Sequence, residues 1–309
     1  MKKRIITATI LCCVLIPVLF VGSYLMILLT MFLSFMGVYE LIKMYNKKHN
    51  ISNGYKIALP VITSVICGLI SFAFYKDIDL LLYVALPITV VTLIVLLIVA
   101  MFDKTINMND MFQMFGFMLY GGISFALLSG LRFISEINQS DTWELVINES
   151  ISINLLGFGL VGYALIVSST TDMGAQFGGM LFGKHKLCPT ISPKKTIEGA
   201  LSGLLVGGIL GTVVLTICEI IGDFKIFGIE EWFINIPVIF VISIILSAFG
   251  QIGDLVASKI KREHDIKDYG NIFPGHGGVL DRFDSAIFVC LVLFAIILVV
   301  TKITGGTLW

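Results

Sequence analysis

Charged residues are scarce in this chain of 309 residues. Asp, Glu, Lys and Arg together make up 14% of it, whereas a typical soluble domain has about 25%. Hydrophobic residues make up 57%, and the mean hydropathy is +0.97. So few charges cannot cover a water-facing surface, which excludes an ordinary soluble globular domain.

The hydrophobic residues form long uninterrupted runs. Each run approaches or exceeds the roughly 17–20 residues that cross the hydrocarbon core of a bilayer. A helix satisfies its backbone hydrogen bonds within one segment, so we predict an all-α, polytopic integral membrane protein with about nine transmembrane helices. The runs are near residues 5–22, 24–43, 57–75, 80–101, 111–131, 151–169, 200–221, 234–256 and 285–301.

The start of the chain, "MKKRIITATILCCVLIPVLF", resembles a secretory signal. It lacks the small residues that precede a cleavage site, and its hydrophobic run continues, which favours a retained first helix. With nine spans and a cytoplasmic N-terminus, all but four of the 21 lysines and arginines fall on the cytoplasmic side. The positive-inside rule therefore favours this topology. The four exceptions are Lys76, Arg132, Lys225 and Lys302.

The predicted organisation has two parts and no separate soluble domain. Residues 1–150 hold the N-terminal transmembrane helices, and residues 151–309 form a C-terminal transmembrane catalytic region. Two cytoplasmic loops, 170–199 and 257–284, are long, rich in glycine and rich in ionisable residues. We therefore expect the chemistry in these two loops.

Several common signatures are missing. The six cysteines form no CxxC pair and no cluster with histidine, which argues against disulfides and zinc. No P-loop is present. His276 has only glycine neighbours, so it is expected to bond a phosphate or a carboxylate, or to have a purely structural role.

The seventh predicted helix carries glycines at four-residue spacing. Small residues at this period let two transmembrane helices approach closely. The contact is expected either within the chain or between copies of it. The glycines are Gly199, Gly203, Gly207 and Gly211.

Polar residues share one face of the eighth predicted helix: Ser247, Gln251, Asp254 and Ser258. An Asp in a membrane span is a functional candidate or half of an ion pair, here with Lys261. The next loop supplies Asp281 and Asp284. Carboxylates with a phosphate ligand suit Mg²⁺, and glycines let the backbone approach a ligand. The accompanying cations and glycines are Lys261, Arg262, Lys267, Arg282, Gly275, Gly277 and Gly278.

The first cytoplasmic loop contains the sequence Ser192-Pro193, which is typical of a helix start. Lys194 and Lys195 would then lie in the first helical turn, where cations are disfavoured unless an anion is bound there. We therefore expect a phosphate at this helix start, with Asp172 in the same loop. The alternative is that the lysines only follow the positive-inside rule.

Two stretches carry a resemblance to a known family. "SKIKREHDIKDYGNIFPGHGGVLDRFD", residues 258–284, resembles the C-terminal motif of the phosphatidate cytidylyltransferases (CDP-diacylglycerol synthases). "FGKHKLCPTISPKKTIEG", residues 182–199, is similar to a second conserved loop of that family. The resemblance implies an all-helical membrane enzyme that converts CTP and phosphatidate into CDP-diacylglycerol and pyrophosphate.

The resemblance also implies cofactors, partners and roles for residues. It implies Mg²⁺, with K⁺ as an additional ion, a homodimer in the cell membrane, an active site facing the cytoplasm, and no nucleic acid. Asp254 and Asp281 would bind the metal. The other expected catalytic residues are Asp284, Lys195, Lys267 and Arg282. The expected substrate-binding residues are Ser192, Lys194, Ser258, Lys261, Arg262, His276, Gly277, Gly278 and Asp172.

The charges agree with that chemistry. Both substrates are anions and the attacking phosphate oxygen is already ionised, so cations are needed more than a strong base. Two alternatives remain open: a CTP-dependent transferase for another lipid phosphate, and a membrane transporter for an anion or a metal. Transporters often place charges near the bilayer midplane, whereas here the charges cluster in loops at one surface.

Overall fold

The structure, a computed structural model, describes residues 2–49, 51–103, 106–134, 144–148, 151–222, 226–227, 229, 231–273, 275 and 277–303. Ten labelled helices occur in these ranges: α1 (Lys2–Val21), α2 (Ser23–Tyr45), α3 (Asn53–Lys76), α4 (Leu86–Phe102), α5 (Met108–Gly121), α6 (Ala126–Arg132), α7 (Leu155–Phe182), α8 (Ile197–Gly222), α9 (Trp232–Glu263) and α10 (Leu280–Ile303). Short helical turns at Ile78–Leu80 and Leu81–Ala85 lead into α4, and Ile123–Phe125 joins α5 to α6.

Two antiparallel hairpins accompany the helices. Strands β1 (Glu144–Asn148) and β2 (Ile151–Asn154) pair with Leu145 opposite Ile153. Strands β3 (Lys186–Cys188) and β4 (Ser192–Thr196) pair with Lys186 opposite Thr196 and Cys188 opposite Ser192.

The all-α membrane fold is confirmed. Eight helical segments in the described ranges are long and apolar enough to cross a membrane, and they match eight of the nine predicted spans. The remaining predicted span, 5–22, falls on α1, which is helical but is not among the eight. The eight segments are Ser23–Tyr45, Asn53–Lys76, Leu81–Phe102, Met108–Arg132, Leu156–Phe182, Ile197–Ile221, Trp232–Glu263 and Leu280–Thr301.

Two compact units make up the chain. Unit 1 combines Met1–Ile137 with His264–Arg282, and unit 2 combines Asn138–Glu263 with Phe283–Trp309. The segment His264–Arg282, expected within the C-terminal catalytic region, therefore packs with the N-terminal helices.

Hydroxyl groups and one buried arginine stabilise the interior of unit 1. Ser71 on α3 bonds both Thr30 on α2 (3.1 Å between hydroxyl oxygens) and Ser129 on α6 (2.7 Å). The guanidinium of Arg132, 2% exposed, donates to the carbonyl oxygens of Leu19 (2.7 Å) and Phe20 (3.0 Å). These carbonyls are near the end of α1, where helical C=O groups lack a partner in the helix and a cation is favourable.

In unit 2, the glycine face of α8 packs against α7 and α9. A Cβ atom on Gly203 would lie 2.8 Å from the carbonyl oxygen of Thr171 on α7 and 3.0 Å from Nε2 of Gln251 on α9. A Cβ atom on Gly211 would lie 2.7 Å from Val167 and 3.0 Å from the Ser243 hydroxyl. The predicted close packing is thus confirmed, and these contacts are within the chain.

Two helices extend further than the sequence indicated. Helix α7 continues to Phe182, so Asp172 is in a helix and not in a loop. Helix α9 has 32 residues and continues to Glu263. The predicted spans were drawn from the apolar runs alone, because about 20 apolar residues cross the hydrocarbon core. Both helices continue beyond these runs with polar ends.

Candidate active site

In unit 2, Asp254 on α9 forms an ion pair with Lys195 on β4. The Lys195 ammonium is 2.5 Å from Asp254 Oδ2, and the two side chains are 26% and 28% exposed. Ser258, one turn further along α9, donates a longer hydrogen bond of 3.4 Å to Asp254 Oδ1. Asp254 is therefore half of an ion pair whose partner is Lys195, a residue of the first motif, where the sequence had suggested Lys261.

The start of α8 differs from the prediction, which is wrong here. Ser192–Thr196 is a strand and the helix begins at Ile197, so Ser192 is not its cap and Lys194 and Lys195 are not in its first turn. The Thr196 hydroxyl instead accepts a hydrogen bond from the Gly199 amide at 3.1 Å. Pro193 is compatible with a strand that has an unpaired edge.

Glu198 supplies the negative charge at this helix start. Its carboxylate accepts hydrogen bonds from the amides of Lys184 (3.1 Å) and His185 (3.2 Å), and it lies 2.7 Å from His185 Nδ1. An acidic residue in the first turn is favourable to the helix dipole. A carboxylate of the chain therefore lies in the first turn of the helix at whose start we expected a phosphate.

A second group of carboxylates lies beside the first in unit 2. Asp284 on α10 is only 8% exposed, and its Oδ1 accepts the Ser285 amide hydrogen bond at 2.8 Å. Asp254, Lys261 and Asp172 are all close enough to act electrostatically on Asp284. The Ser285 hydroxyl also donates to Asp172 Oδ2 at 3.4 Å. Unit 2 thus brings three of the predicted acids together with two of the predicted lysines.

Arg262 is at the end of α9 and ties it to the β3–β4 hairpin. Its Nε donates to the carbonyl oxygen of Ile191 at 3.3 Å. The side chain is exposed, as is Lys194 on the hairpin. Both cations therefore lie at the polar end of unit 2, on the elements that carry the Lys195–Asp254 pair.

In unit 1, backbone amides hold Asp281 at the start of α10. Its Oδ2 accepts hydrogen bonds from the amides of Tyr269 (2.8 Å) and Gly278 (2.9 Å). Gly277 has φ +82°, and a Cβ atom there would lie 2.7 Å from Asp281 Oδ2. The glycine at 277 is therefore required both by its backbone conformation and by this carboxylate.

The remaining predicted residues divide between the units. Lys267 and Arg282 are exposed in unit 1, where Gly277 and Gly278 also lie. Asp281 belongs to unit 1 and Asp254 to unit 2, and α10 carries Asp281 and Asp284 three residues apart on one helix. His276 lies outside the described residues.

Sequence reasoning did not single out Glu40. This residue is 2% exposed on α2, and its carboxylate accepts hydrogen bonds from the amides of Val279 (2.9 Å) and Leu280 (3.1 Å). The sequence did offer a signal for Glu40, because it is an ionisable residue within an apolar span and such a residue is a functional candidate.

The donor chemistry fits a magnesium ion that also binds a substrate phosphate. The described residues contain no group of three Asp, Glu, His or Cys side chains that forms a complete metal cage. Magnesium does not need one, because it is commonly held by one or two carboxylates, waters and substrate phosphates. A carboxylate offers about four lone-pair sites, so the two amide bonds to Asp281 leave it suitable as a ligand.

Fold and site together define a class: a multi-pass helical membrane protein with acids and lysines gathered at the polar ends of its helices. Hard oxygen ligands beside fixed cations are typical of enzymes that transfer phosphorylated groups. The chain belongs to the cytidylyltransferase family, which matches residues 2–300. The family predicted from the two motifs is thereby confirmed.

Bacterial relatives agree with this assignment. The chain is 34% identical to the phosphatidate cytidylyltransferase of Staphylococcus saprophyticus over 295 residues, covering 94% of this chain and 96% of the relative. It is 44% identical over 145 residues to the Bacillus subtilis enzyme of the same name, covering 46% of this chain and 49% of that protein. For Staphylococcus haemolyticus the identity is 47% over 133 residues, 43% of this chain and 46% of the relative. The last two matches thus span about half the length of the relatives.

Proposed function

We propose that this protein is a phosphatidate cytidylyltransferase, which transfers CMP from CTP to phosphatidate in a bacterial cell membrane. The family match across residues 2–300 carries the proposal. The Lys195–Asp254 pair supports it, since it joins the first motif to the segment of α9 that leads into the second. The membrane-spanning helices fit a lipid substrate, and the polar helix ends fit a water-soluble nucleotide.

The proposed reaction is a single in-line displacement. A phosphate oxygen of phosphatidate attacks the α-phosphorus of CTP, a new P–O bond forms, and the bond to the β-phosphate breaks. Pyrophosphate leaves with the electron pair of that bond, and CDP-diacylglycerol is the lipid product. Because the attacking oxygen is already ionised, no residue has to remove its proton.

The residues of the chain would bind and orient the two anions. Lys195 would bind the triphosphate, and the exposed cations Lys194, Arg262, Lys267 and Arg282 would reduce the repulsion between the substrates. Asp254 and Asp281 would hold Mg²⁺. When bound, the ion neutralises charge on the phosphates and aligns them. K⁺ as a second ion, a homodimer and a site facing the cytoplasm belong to the same proposal.

The test uses the full chain purified in detergent, with phosphatidate, CTP, Mg²⁺ and K⁺, and mass spectrometry of the lipid product. We expect CDP-diacylglycerol from the wild type and none after EDTA. Asp281→Asn should lower the rate more than about 100-fold, because even residues that only support a metal ligand cost 10–100-fold. Asp79→Asn, an exposed carboxylate near the end of α3, is the matched control and should keep its activity.

The other outcomes are equally informative. Product from Asp281→Asn at the wild-type rate would show that Asp281 is not a metal ligand, while leaving the reaction established. Product only with a different lipid phosphate would favour the other transferase. No product from any lipid, together with flux of an anion or a metal across vesicles, would overturn the proposal in favour of the transporter.

A further inference from the structure

Glu40 stabilises the start of α10 from a different helix. Val279 and Leu280, at the start of this helix, have amides that the helix itself cannot satisfy. Val279 has no side-chain oxygen and cannot cap the helix as Ser, Thr, Asp or Asn would. The Glu40 carboxylate bonds both amides, one with each oxygen.

The loop before α10 is shaped around this carboxylate. A Cβ atom on Gly270 or on Gly278 would collide with the Glu40 carboxylate. Both positions therefore require glycine because a buried acid occupies the space beside the backbone. Gly278 was expected to let the backbone approach a ligand, and here it lets the backbone approach a side chain of α2.

Gly278 connects Glu40 to the predicted metal ligand. Its amide donates to Asp281 Oδ2 at 2.9 Å, while its Cα packs against Glu40. Val279 and Leu280, which Glu40 bonds, directly precede Asp281. Any shift of Glu40 would thus move the backbone on which the orientation of Asp281 depends.

We propose that Glu40 is a positioning residue for Asp281: by holding the 278–280 backbone, it fixes the carboxylate that binds Mg²⁺. This inference rests on the proposed function, in which Asp281 is a metal ligand. Glu40 would act on the metal through Asp281 and would not itself bind the metal. Such supporting residues typically change metal affinity or activity about 10- to 100-fold when mutated.

The first test is Glu40→Gln in the full chain, in detergent. Glutamine has the same shape but replaces one acceptor oxygen with an NH₂ donor, which would face a backbone amide. The Mg²⁺ concentration for half-maximal CDP-diacylglycerol formation should rise about 10- to 100-fold. Hydrogen–deuterium exchange of peptides covering residues 268–283 should be faster than in the wild type, without any substrate.

Glu219→Gln is the matched control. Glu219 is also buried in a membrane span, 1% exposed, and bonds the Ile226 amide (3.1 Å) and the Asn235 side chain (2.6 Å) in unit 2. A general loss of stability would affect both variants alike. We expect Glu219→Gln, unlike Glu40→Gln, to keep the wild-type Mg²⁺ dependence and the wild-type hydrogen–deuterium exchange of residues 268–283.

Two results would overturn the inference. One is a Glu40→Gln enzyme with unchanged Mg²⁺ dependence and unchanged exchange at 268–283. The other is the same change in both variants. If Glu40→Gln does not fold, Glu40→Asp keeps the charge but is one methylene shorter, and it should show smaller shifts in the same directions. Wild-type values for Glu40→Asp would then refute the proposal.

Failure of the proposed function would be visible separately. If the wild type makes no CDP-diacylglycerol, the exchange measurement still tests whether Glu40 holds the loop. Binding of Mn²⁺, followed by electron paramagnetic resonance in the wild type and in both variants, then tests the metal site without catalysis. Equal Mn²⁺ affinity in the wild type and Glu40→Gln would refute the positioning role.

Discussion

Replacing Gly207 with alanine should loosen the packing of unit 2. Gly207 lies on the face of α8 that contacts α7 and α9, and an added Cβ would collide with the hydroxyls of Thr171 and Ser247. Thr171 is 1% exposed and Ser247 is 0% exposed, and their hydroxyl oxygens bond each other at 2.9 Å. The methyl group would therefore separate a buried pair that links α7 to α9.

The magnitude follows from three contributions. Forcing a methyl group into a packed interior costs about 1–3 kcal/mol. Losing an interhelical hydrogen bond in a membrane protein costs about 0.6 kcal/mol on average. Alanine in place of glycine favours the helix by up to about 1 kcal/mol. With the full alanine gain subtracted, the net expectation is that unfolding becomes easier by about 0.6–2.6 kcal/mol.

Gly162→Ala is the matched control, because a Cβ atom on Gly162 of α7 would have no neighbour within 4 Å. This variant should be as stable as the wild type or more stable by up to about 1 kcal/mol. Both are measured by equilibrium unfolding in mixed micelles with increasing SDS, followed by circular dichroism. A Gly207→Ala protein as stable as Gly162→Ala would refute the packing argument.

Two further predictions concern ion pairs. Lys195→Gln and Asp254→Asn should each lower kcat/KM for CTP by about 10²- to 10³-fold. The double variant should lose much less than the product of the two single losses, because the residues act as a pair. Fully multiplicative losses in steady-state kinetics would contradict this. Outside the spans, the Lys48 ammonium, 2.6 Å from Asp265, lowers the pKa of that exposed carboxyl. Its small stabilisation is present above the unfolded pKa and is lost as pH falls through the lower folded pKa. Lys48→Gln should raise the Asp265 pKa towards its ordinary value in a carbon-13 NMR titration, whereas Lys47→Gln should not.

The transmembrane helices could be predicted because their signal is local. A run of about 20 apolar residues is sufficient evidence for a span, and eight such spans were found where expected. The helix ends could not be predicted, since nothing in the bilayer argument stops a helix at the membrane surface. Asp172 was therefore placed in a loop although α7 continues for ten more residues, to Phe182.

The β3–β4 hairpin shows a different limit. Ser192-Pro193 and Thr196 are both plausible helix starts, four residues apart, and only the pairing of Lys186 with Thr196 decides between them. That pairing also directs Lys195 towards Asp254 on α9. The sequence singled out Lys195 and Asp254 separately, but it offered Lys261 as the ion-pair partner of Asp254 and did not indicate that Lys195 would meet it.

Two acids, Glu40 and Glu219, are buried within membrane-spanning helices. A membrane interior offers no water to an ionised side chain, so each buried carboxylate needs donors from the protein. Glu219 has an amide and an asparagine, and Glu40 has two amides at the start of α10. The partners of Glu40 are 239 and 240 residues away along the chain, too far for any local pattern to reveal. A side chain at position 270 or 278 would collide with the Glu40 carboxylate. The glycines at these two positions are therefore the sequence feature that reflects this distant acid.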